Sequence, residues 1–210
     1  MRAYTINAIG DRPQLTDIAV PEPAAGQVRI DIKACGLNFA DLLMQSGTYQ
    51  DTPPAPFTLG MEVSGVVSAL GPDTKGANIG DRVAVFGGQG GLAEHGCYDV
   101  SRLLPLPDTM DFETAAAFQI AYGTSHVALG YRARLQPGET LLVLGAAGGV
   151  GLTAVEIGKQ MGATVIACAR GADKLAIAQA AGADHLIDTS AADLRAEGIS
   201  LVLDFIFNHT

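Results

Sequence analysis

The chain has 210 residues, of which 48% are hydrophobic and 17% charged, a composition typical of a packed globular protein of one large or two modest domains. Its 13 basic and 22 acidic residues give a formal net charge of −9, which disfavours nucleic acid and anionic membrane surfaces as partners. The amino terminus has no apolar signal core, and no window is long enough to span a bilayer. The sequence therefore predicts a cytoplasmic protein without a membrane partner.

The chain has three cysteines, an odd number, and they are far apart in sequence: Cys35, Cys97 and Cys168. Cys168 falls in a predicted buried strand. Reduced thiols in the core are the expected state of such cysteines, which agrees with a cytoplasmic location.

Up to about Leu106 the chain consists of short predicted strands separated by turns. Residues 28–33 alternate between apolar and polar, which predicts a half-exposed antiparallel strand, and residues 62–67 and 82–86 predict two more. Gly-Pro, Pro-Pro and Gly-Asp pairs mark the turns between them. This spacing indicates a compact, barrel-like β domain.

From Thr114 onward the pattern changes. Residues 112–129 are predicted to be helical, and strands then alternate with helices, as expected for a parallel sheet. We expect the domain boundary near residues 110–125. The predicted fold is α/β, with a β domain over residues 1–115 and a domain built on a parallel sheet over residues 116–210.

A glycine loop at residues 145–151 is the most informative segment of the second part. A buried apolar strand runs into it from Leu141, and a helix follows it to about Gln160. Glycine lets the backbone turn sharply and approach phosphate, and the free amides of a helix start supply donors and positive potential. The pattern predicts a dinucleotide-binding site; the alternative is a tight strand-to-helix turn without a ligand. The predicted binding residues are Gly145, Ala147, Gly148, Gly149, Val150 and Gly151.

A second strand is predicted at residues 163–170, followed by a helix at about 172–181 and a stop at Gly182. NAD-binding sites place an acidic residue about 20 residues beyond the glycines, where it bonds the ribose. Here the residue 21 positions after Gly148 is Ala169, and Arg170 follows it. A guanidinium can pair with the ribose phosphate of NADPH, and Lys174 could add a second cation. We therefore expect NADPH rather than NADH; the alternative is that Arg170 is a solvated loop cation.

Four motifs occur in a fixed order, and together they resemble the medium-chain dehydrogenase/reductase superfamily. Within it they resemble the zinc-independent NADPH:quinone oxidoreductases, the zeta-crystallin-like family. The resemblance runs from Met1 to about Asp188, and it implies a GroES-like β domain followed by a partial Rossmann domain. The motifs are Cys-Gly-Leu-Asn-Phe-Ala-Asp at 35–41, Gly-Met-Glu-Val-Ser-Gly at 60–65, Ala-Tyr-Gly-Thr-Ser at 121–125 and the loop at 145–151.

The resemblance also indicates that no metal is bound. In zinc-dependent relatives a cysteine ligand takes the place of Asn38 and a histidine ligand that of Met61, and carboxamide and thioether are poor zinc ligands. Residues 86–100 contain one cysteine, Cys97, so the structural zinc lobe with its four cysteines is missing. Two residues found near the zinc in those relatives, Asp41 and Glu62, are still present here. Their alternative roles are structural: Asp41 could cap a helix start, and Glu62 could hold local backbone. The four histidines share no ligand-like spacing: His95, His126, His185 and His209.

Without a Lewis acid, adding hydride to a quinone or an α,β-unsaturated carbonyl is favoured over oxidising a simple alcohol, because the conjugated acceptor spreads the developing charge. The resemblance implies that Asn38 and Tyr49 lie near the nicotinamide and donate to the substrate oxygen. It implies that Thr124 contacts the nicotinamide ribose or carboxamide, with Tyr122 close by. Alternative roles are turn formation for Asn38 and a surface loop position for Tyr49.

Two further expectations concern packing and the end of the chain. Phe39 and Leu42 are expected in the core. Residues 201–207 read as a fourth parallel strand, whose edge would be exposed. Because the family continues well beyond this length, we expect a truncated copy of a longer enzyme; the alternative is that another chain completes the sheet.

The sequence leaves three functional classes open. The first is an NADPH-dependent oxidoreductase acting on a small quinone or enone. The second is a catalytically inactive NADP-binding module, and the third is a scaffold that the cofactor merely stabilises. The family commonly forms dimers, so a homodimer is compatible, but neither the oligomeric state nor the natural electron acceptor follows from the sequence.

Overall fold

A computed structural model describes residues 1–191 of the chain. The chain forms two compact units, Met1–Ile120 and a second that begins at Ala121. Among residues 1–191, no helix combines the length and the apolar character needed to cross a membrane. The strand predicted at residues 201–207 lies outside the described residues.

The first unit is built from two antiparallel sheets. One has three strands in the order β2-β1-β4, and the other has five in the order β7-β3-β5-β6-β8. Their bounds are β1 (Arg2–Ile6), β2 (Gln14–Asp17), β3 (Gln27–Gly36), β4 (Phe57–Thr58), β5 (Glu62–Leu70), β6 (Arg82–Phe86), β7 (His95–Asp99) and β8 (Leu103–Pro105). The three strands expected from sequence are confirmed as parts of β3, β5 and β6, and they are neighbours in the larger sheet.

Two apolar clusters hold this unit together. The first lies on the five-stranded sheet, where alternate residues of β3 and β5 such as Val28, Ile30 and Val63 are fully buried. The second packs Met44 against Ile6 of β1. Met44 belongs to helix α1 (Phe39–Ser46), so this cluster fixes α1 on the smaller sheet.

The expectation that Phe39 and Leu42 belong to the core is wrong. Phe39 is 74% and Leu42 59% exposed. Helix α1 buries the face that carries Asp41 and Met44, three residues apart. Phe39 and Leu42 are also three residues apart, on the opposite face of the same helix.

The second unit follows the predicted alternation of strands and helices. Helix α2 (Phe112–His126) begins in the first unit and ends in the second, where it continues as a π-helical turn over Val127–Arg132, a few residues beyond the predicted end. Three parallel strands then form a sheet in the order β11-β10-β9. The elements are β9 (Thr140–Leu144), α3 (Gly149–Gln160), β10 (Thr164–Ala169), α4 (Ala172–Ala180) and β11 (His185–Asp188).

Helix α3 packs closely on this sheet because a glycine faces it. A Cβ atom at Gly158 would lie 2.6 Å from the Leu141 side chain and 3.2 Å from that of Val165. Cys168 of the central strand β10 is buried, as predicted, and all three cysteines are free thiols. The predicted fold class is confirmed: an antiparallel β domain followed by a parallel, Rossmann-like α/β part.

Candidate functional site

The glycine loop connects β9 to α3 and is anchored on the neighbouring strand. Gly145 has φ +61°, a left-handed conformation that favours glycine. The N–H of Ala146 donates to the Cys168 carbonyl of β10 at 3.0 Å, and the N–H of Gly148 donates to the Gly145 carbonyl at 2.9 Å. The loop is therefore held in a defined position at the carboxyl end of β9.

The amides at the start of α3 are available to a ligand. Within residues 1–191, the N–H groups of Gly149, Val150 and Gly151 donate to no acceptor, and the first helical bond is from Leu152 to the Gly148 carbonyl, at 2.8 Å. Gly148, Gly149 and Val150 are exposed. Free amides and the positive end of the helix dipole make this a position suited to a phosphate group.

Gly151 lies close against the backbone of the same loop. A Cβ atom there would lie 2.3 Å from the Gly145 carbonyl oxygen and 2.9 Å from the Ala146 Cα. Both contacts are with backbone atoms, which cannot rotate away. Glycine at 151 is thus required for the close approach of α3 to the turn, whereas a Cβ at Gly149 would meet nothing within 4 Å.

Arg170 lies at the same edge of the sheet as the glycine loop. It directly follows β10, whose residue Cys168 pairs with Leu144 at the end of β9. Arg170 is exposed and makes no hydrogen bond or ion pair with the described part of the chain. Lys174 is the third residue of α4 and is also exposed. Two cations therefore flank the carboxyl edge of the parallel strands.

Helix α2 is tied to the start of α3 by buried hydroxyl groups. The Ser125 Oγ donates to the Val150 carbonyl at 2.9 Å and lies 2.8 Å from the Thr153 Oγ1. Thr153 in turn reaches the Ala121 carbonyl at 3.0 Å. Thr124, next to Ser125, is half-buried, and its side chain makes no hydrogen bond within residues 1–191.

Tyr122 of the same motif also binds α3. Its hydroxyl donates to the Glu156 carboxylate, and this hydrogen bond raises the pKa of the Tyr122 phenol. The 121–125 motif is therefore positioned against the helix that begins at the glycine loop.

Asn38 begins helix α1 in the first unit. It has extended backbone (φ −124°, ψ 150°), and its N–H donates to the Asp41 Oδ2 at 2.8 Å. The other oxygen of Asp41 accepts the Gly60 N–H at 3.0 Å. Asp41 thus caps a helix start, as the sequence suggested, and fixes the Asn38 backbone.

Glu62 joins Asn38 to helix α2. The residue is 2% exposed. Its Oε1 accepts a hydrogen bond from the Asn38 Nδ2, and its Oε2 accepts the Ile120 N–H, each at 2.9 Å. Glu62 thus holds backbone, but that of the distant helix α2 and not the local backbone suggested from the sequence. Burial raises the pKa of Glu62 above the usual 4.5, against the opposing effect of these hydrogen bonds.

Tyr49 and Met61 belong to the apolar cluster around α1. Met61 is 3% exposed within that cluster, and Tyr49, in the loop that follows α1, packs against the cluster half-buried. Burial, with the nearby Asp51 charge, raises the pKa of Tyr49 and keeps its hydroxyl protonated. Burial beside Asp41 and Glu62 raises the pKa of Cys35 to about 12, so this thiol is not a nucleophile.

The residues at the position of the zinc site do not fit a zinc ion. Met61 is enclosed by apolar side chains, and the Asn38 amide nitrogen, which is not a metal ligand, faces Glu62. Within residues 1–191, no three or more His, Cys, Asp or Glu side chains are grouped so that they could hold a metal.

The structure thus brings the predicted residues together in two sets. The glycine loop, Arg170 and Lys174 share one edge of the parallel sheet, while Asn38 and Tyr49 lie around α1. Sequence reasoning missed the pairing of Asn38 with Glu62 and the hydroxyl contact of Ser125 with Thr153. Both join residues more than 20 positions apart, and no local pattern marks them.

Comparison with known proteins agrees with this geometry. Residues 24–108 match the family "Alcohol dehydrogenase GroES-like domain", and residues 149–210 match "Zinc-binding dehydrogenase". The chain is 34% identical over 223 residues to the quinone oxidoreductase of Rattus norvegicus, covering 99% of this chain and 67% of the relative.

The chain belongs to the quinone oxidoreductase family of the medium-chain dehydrogenase/reductase superfamily. It is also 39% identical over 164 residues to quinone oxidoreductase-like protein 2 of Rattus norvegicus, covering 78% of this chain and 47% of that protein. The chain thus spans about half the length of several curated relatives that it matches.

Two solved structures of the family carry NADPH. The quinone oxidoreductase of Thermus thermophilus, also solved as its NADPH complex, has a TM-score of 0.82 and 39% identity, covering 94% of this chain and 63% of that one. The Escherichia coli quinone oxidoreductase complexed with NADPH has a TM-score of 0.86 and 30% identity, covering 93% and 60%.

Proposed function

We propose that this chain binds NADPH and reduces a small quinone or α,β-unsaturated carbonyl compound. The observation that carries the proposal is the cluster of amides at the start of α3, with Arg170 at the same sheet edge; neither the amides nor Arg170 have a hydrogen-bond partner among residues 1–191. An anionic diphosphate fits the amides, and a ribose phosphate fits the guanidinium. The NADPH complexes of two family members support this assignment.

In this proposal each part of the loop has a separate role. The N–H groups of Gly149, Val150 and Gly151 donate to the diphosphate, while Gly145, Ala147 and Gly148 form the turn that lets it approach. Arg170 and Lys174 pair with the phosphate on the ribose. Thr124, whose hydroxyl has no partner within residues 1–191, donates to the nicotinamide ribose or carboxamide.

The first unit supplies the groups for the substrate. NADPH, when bound, supplies a hydride equivalent to the conjugated acceptor, and the acceptor's oxygen becomes negatively charged. The second N–H of the Asn38 amide, which Glu62 does not use, donates to that oxygen. The protonated hydroxyl of Tyr49 or solvent then supplies the proton that completes the reduction.

Turnover is tested by mixing the purified chain with NADPH and a simple benzoquinone or enone and following the absorbance of the reduced nicotinamide. We expect NADPH to be consumed faster than in the protein-free control, and Asn38→Asp to slow it. Binding without consumption of NADPH would contradict the enzyme assignment and favour an NADP-binding module. A folded chain that does not bind NADPH would contradict both.

A further inference from the structure

We propose that Glu62 is a positioning residue that fixes the orientation of the Asn38 carboxamide. One N–H of the amide is committed to Glu62, and the other is thereby held for the substrate oxygen. This inference rests on the proposed function for its effect on turnover, but the orientation itself can be measured without turnover.

The hydrogen bonds that Glu62 accepts from Ile120 and Asn38 favour one orientation of the Asn38 amide. An asparagine side chain can rotate to present either its nitrogen or its oxygen to a partner. The Ile120 N–H is a backbone donor and cannot accept, so it holds one carboxylate oxygen of Glu62 in place. The other oxygen is an acceptor only, and it selects the Nδ2 of Asn38 at 2.9 Å.

The surroundings of Glu62 are shaped for this carboxylate. Gly36 pairs with Glu62 between β3 and β5. A Cβ atom at Gly36 would lie 2.5 Å from the Glu62 Oε1 and 2.6 Å from the Ala116 carbonyl oxygen. The glycine leaves the space that the carboxylate fills. Asp41 fixes the Asn38 backbone, and the capping box at the start of α1 also brings the Asn38 side chain to the Asp41 N–H, so Glu62 acts on the nitrogen side of the amide.

The substitution Glu62→Gln isolates the orientation from the volume of the side chain. Glutamine keeps one acceptor oxygen, and the immobile Ile120 N–H requires it. The glutamine NH₂ group then faces the Asn38 Nδ2, donor against donor, so the Asn38 amide must rotate. In Asn38→Asp/Glu62→Gln, the glutamine NH₂ faces a carboxylate instead, and the hydrogen bond between the two side chains is restored with reversed polarity.

The test follows the Asn38 side-chain amide by NMR, with its signals assigned by their loss in Asn38→Asp. In the unsubstituted chain we expect one of the two amide hydrogens to exchange more slowly than the other. In Glu62→Gln we expect both signals to shift and that protection to disappear. We also expect kcat with a benzoquinone to fall by about 10- to 100-fold, while the Kd for NADPH stays unchanged.

Two variants control for a purely structural effect. Glu94→Gln makes the same chemical change in the same unit, at a carboxylate bound to Arg2, and should leave the Asn38 signals and kcat unchanged. Asn38→Asp/Glu62→Gln should unfold at a higher temperature than Asn38→Asp alone, which sets two carboxylates face to face. It should nevertheless remain slow, because the amide donor is gone.

Each outcome decides a different part of the proposal. Equal exchange of both Asn38 hydrogens in the unsubstituted chain would overturn it, and so would unchanged signals in a folded Glu62→Gln. Shifted signals with an unchanged kcat would overturn the effect on turnover. If the unsubstituted chain does not consume NADPH, the proposed function fails, and the NMR result alone then decides whether Glu62 orients Asn38.

Discussion

Arg170 is the residue on which the proposed choice of cofactor depends. It is exposed beside the glycine loop and lacks a partner among residues 1–191, so its charge is available. Arg170→Ser should weaken NADPH binding by about 10- to 100-fold, the range expected for losing a charge-assisted hydrogen bond, and leave NADH binding unchanged. Competition titrations with the two nucleotides measure both values.

The matched control for that change is Arg12→Ser, at another exposed arginine, far from the loop in sequence. It alters the net charge of the chain equally and should affect neither nucleotide. An equal loss of NADPH and NADH binding in Arg170→Ser would show that Arg170 is a general phosphate contact, not one that distinguishes the two cofactors.

A second prediction concerns Glu62 and the pH dependence of the free energy of unfolding. Its pKa is higher in the folded chain than the ordinary 4.5, so the folded state binds this proton more tightly than the unfolded state. The corresponding stability is fully present below pH 4.5 and is lost as the pH rises through the folded pKa. The free energy of unfolding, relative to that of Glu62→Gln, should therefore fall with rising pH in this window and then level off.

Urea unfolding at a series of pH values measures this difference. Glu94 supplies a control of opposite sign, because hydrogen bonds from Arg2 lower its pKa. The stability that Glu94 contributes should be lost as the pH falls. The difference in the free energy of unfolding between the unsubstituted chain and Glu94→Gln should therefore decrease with falling pH. A difference between the chain and Glu62→Gln that increases with pH would contradict the assigned direction of the Glu62 shift.

At the scale of elements, the second unit could be predicted closely from the sequence. Apolar strands, a glycine turn and helix stops are local signals, and β9, α3, β10 and α4 lie where those signals indicated. The prediction that Phe39 and Leu42 of helix α1 are buried was wrong, because their spacing along the helix does not show which face of α1 the rest of the chain covers. The hydrogen-bond partners of Glu62, which are Asn38 and Ile120, could not be predicted from the sequence, because only the pairing of strands and the packing of α2 bring these residues close to Glu62.

The tight contact between the turn and α3 can be tested with two neighbouring glycines. Gly151→Ala places a Cβ atom 2.3 Å from the Gly145 carbonyl oxygen, and we expect a loss of about 1–3 kcal/mol in the free energy of unfolding. Gly149→Ala has open space and no positive φ, so its stability should be unchanged or higher by up to about 1 kcal/mol. Chemical unfolding of both variants measures the contrast, and equal losses would contradict the close approach.

At the scale of the whole molecule, the charge of −9 opposes the binding of an anionic cofactor. Binding must therefore depend on the local donors at the start of α3 and on the cations beside them. A ligand that binds only the folded chain stabilises it by about 2.7 kcal/mol at a hundredfold excess over its Kd. Thermal unfolding should thus show a higher midpoint with NADPH, a smaller shift with an equal concentration of NADH, and no shift in Gly151→Ala.

Isothermal titration of the folded chain with NADPH is the most direct test of cofactor binding at the glycine loop, because it requires neither a substrate nor turnover. We expect saturable heat with one site per chain and clearly weaker binding of NADH. A folded chain that releases or absorbs no heat with NADPH, over concentrations that saturate other nucleotide-binding enzymes, would contradict the assignment of the glycine loop.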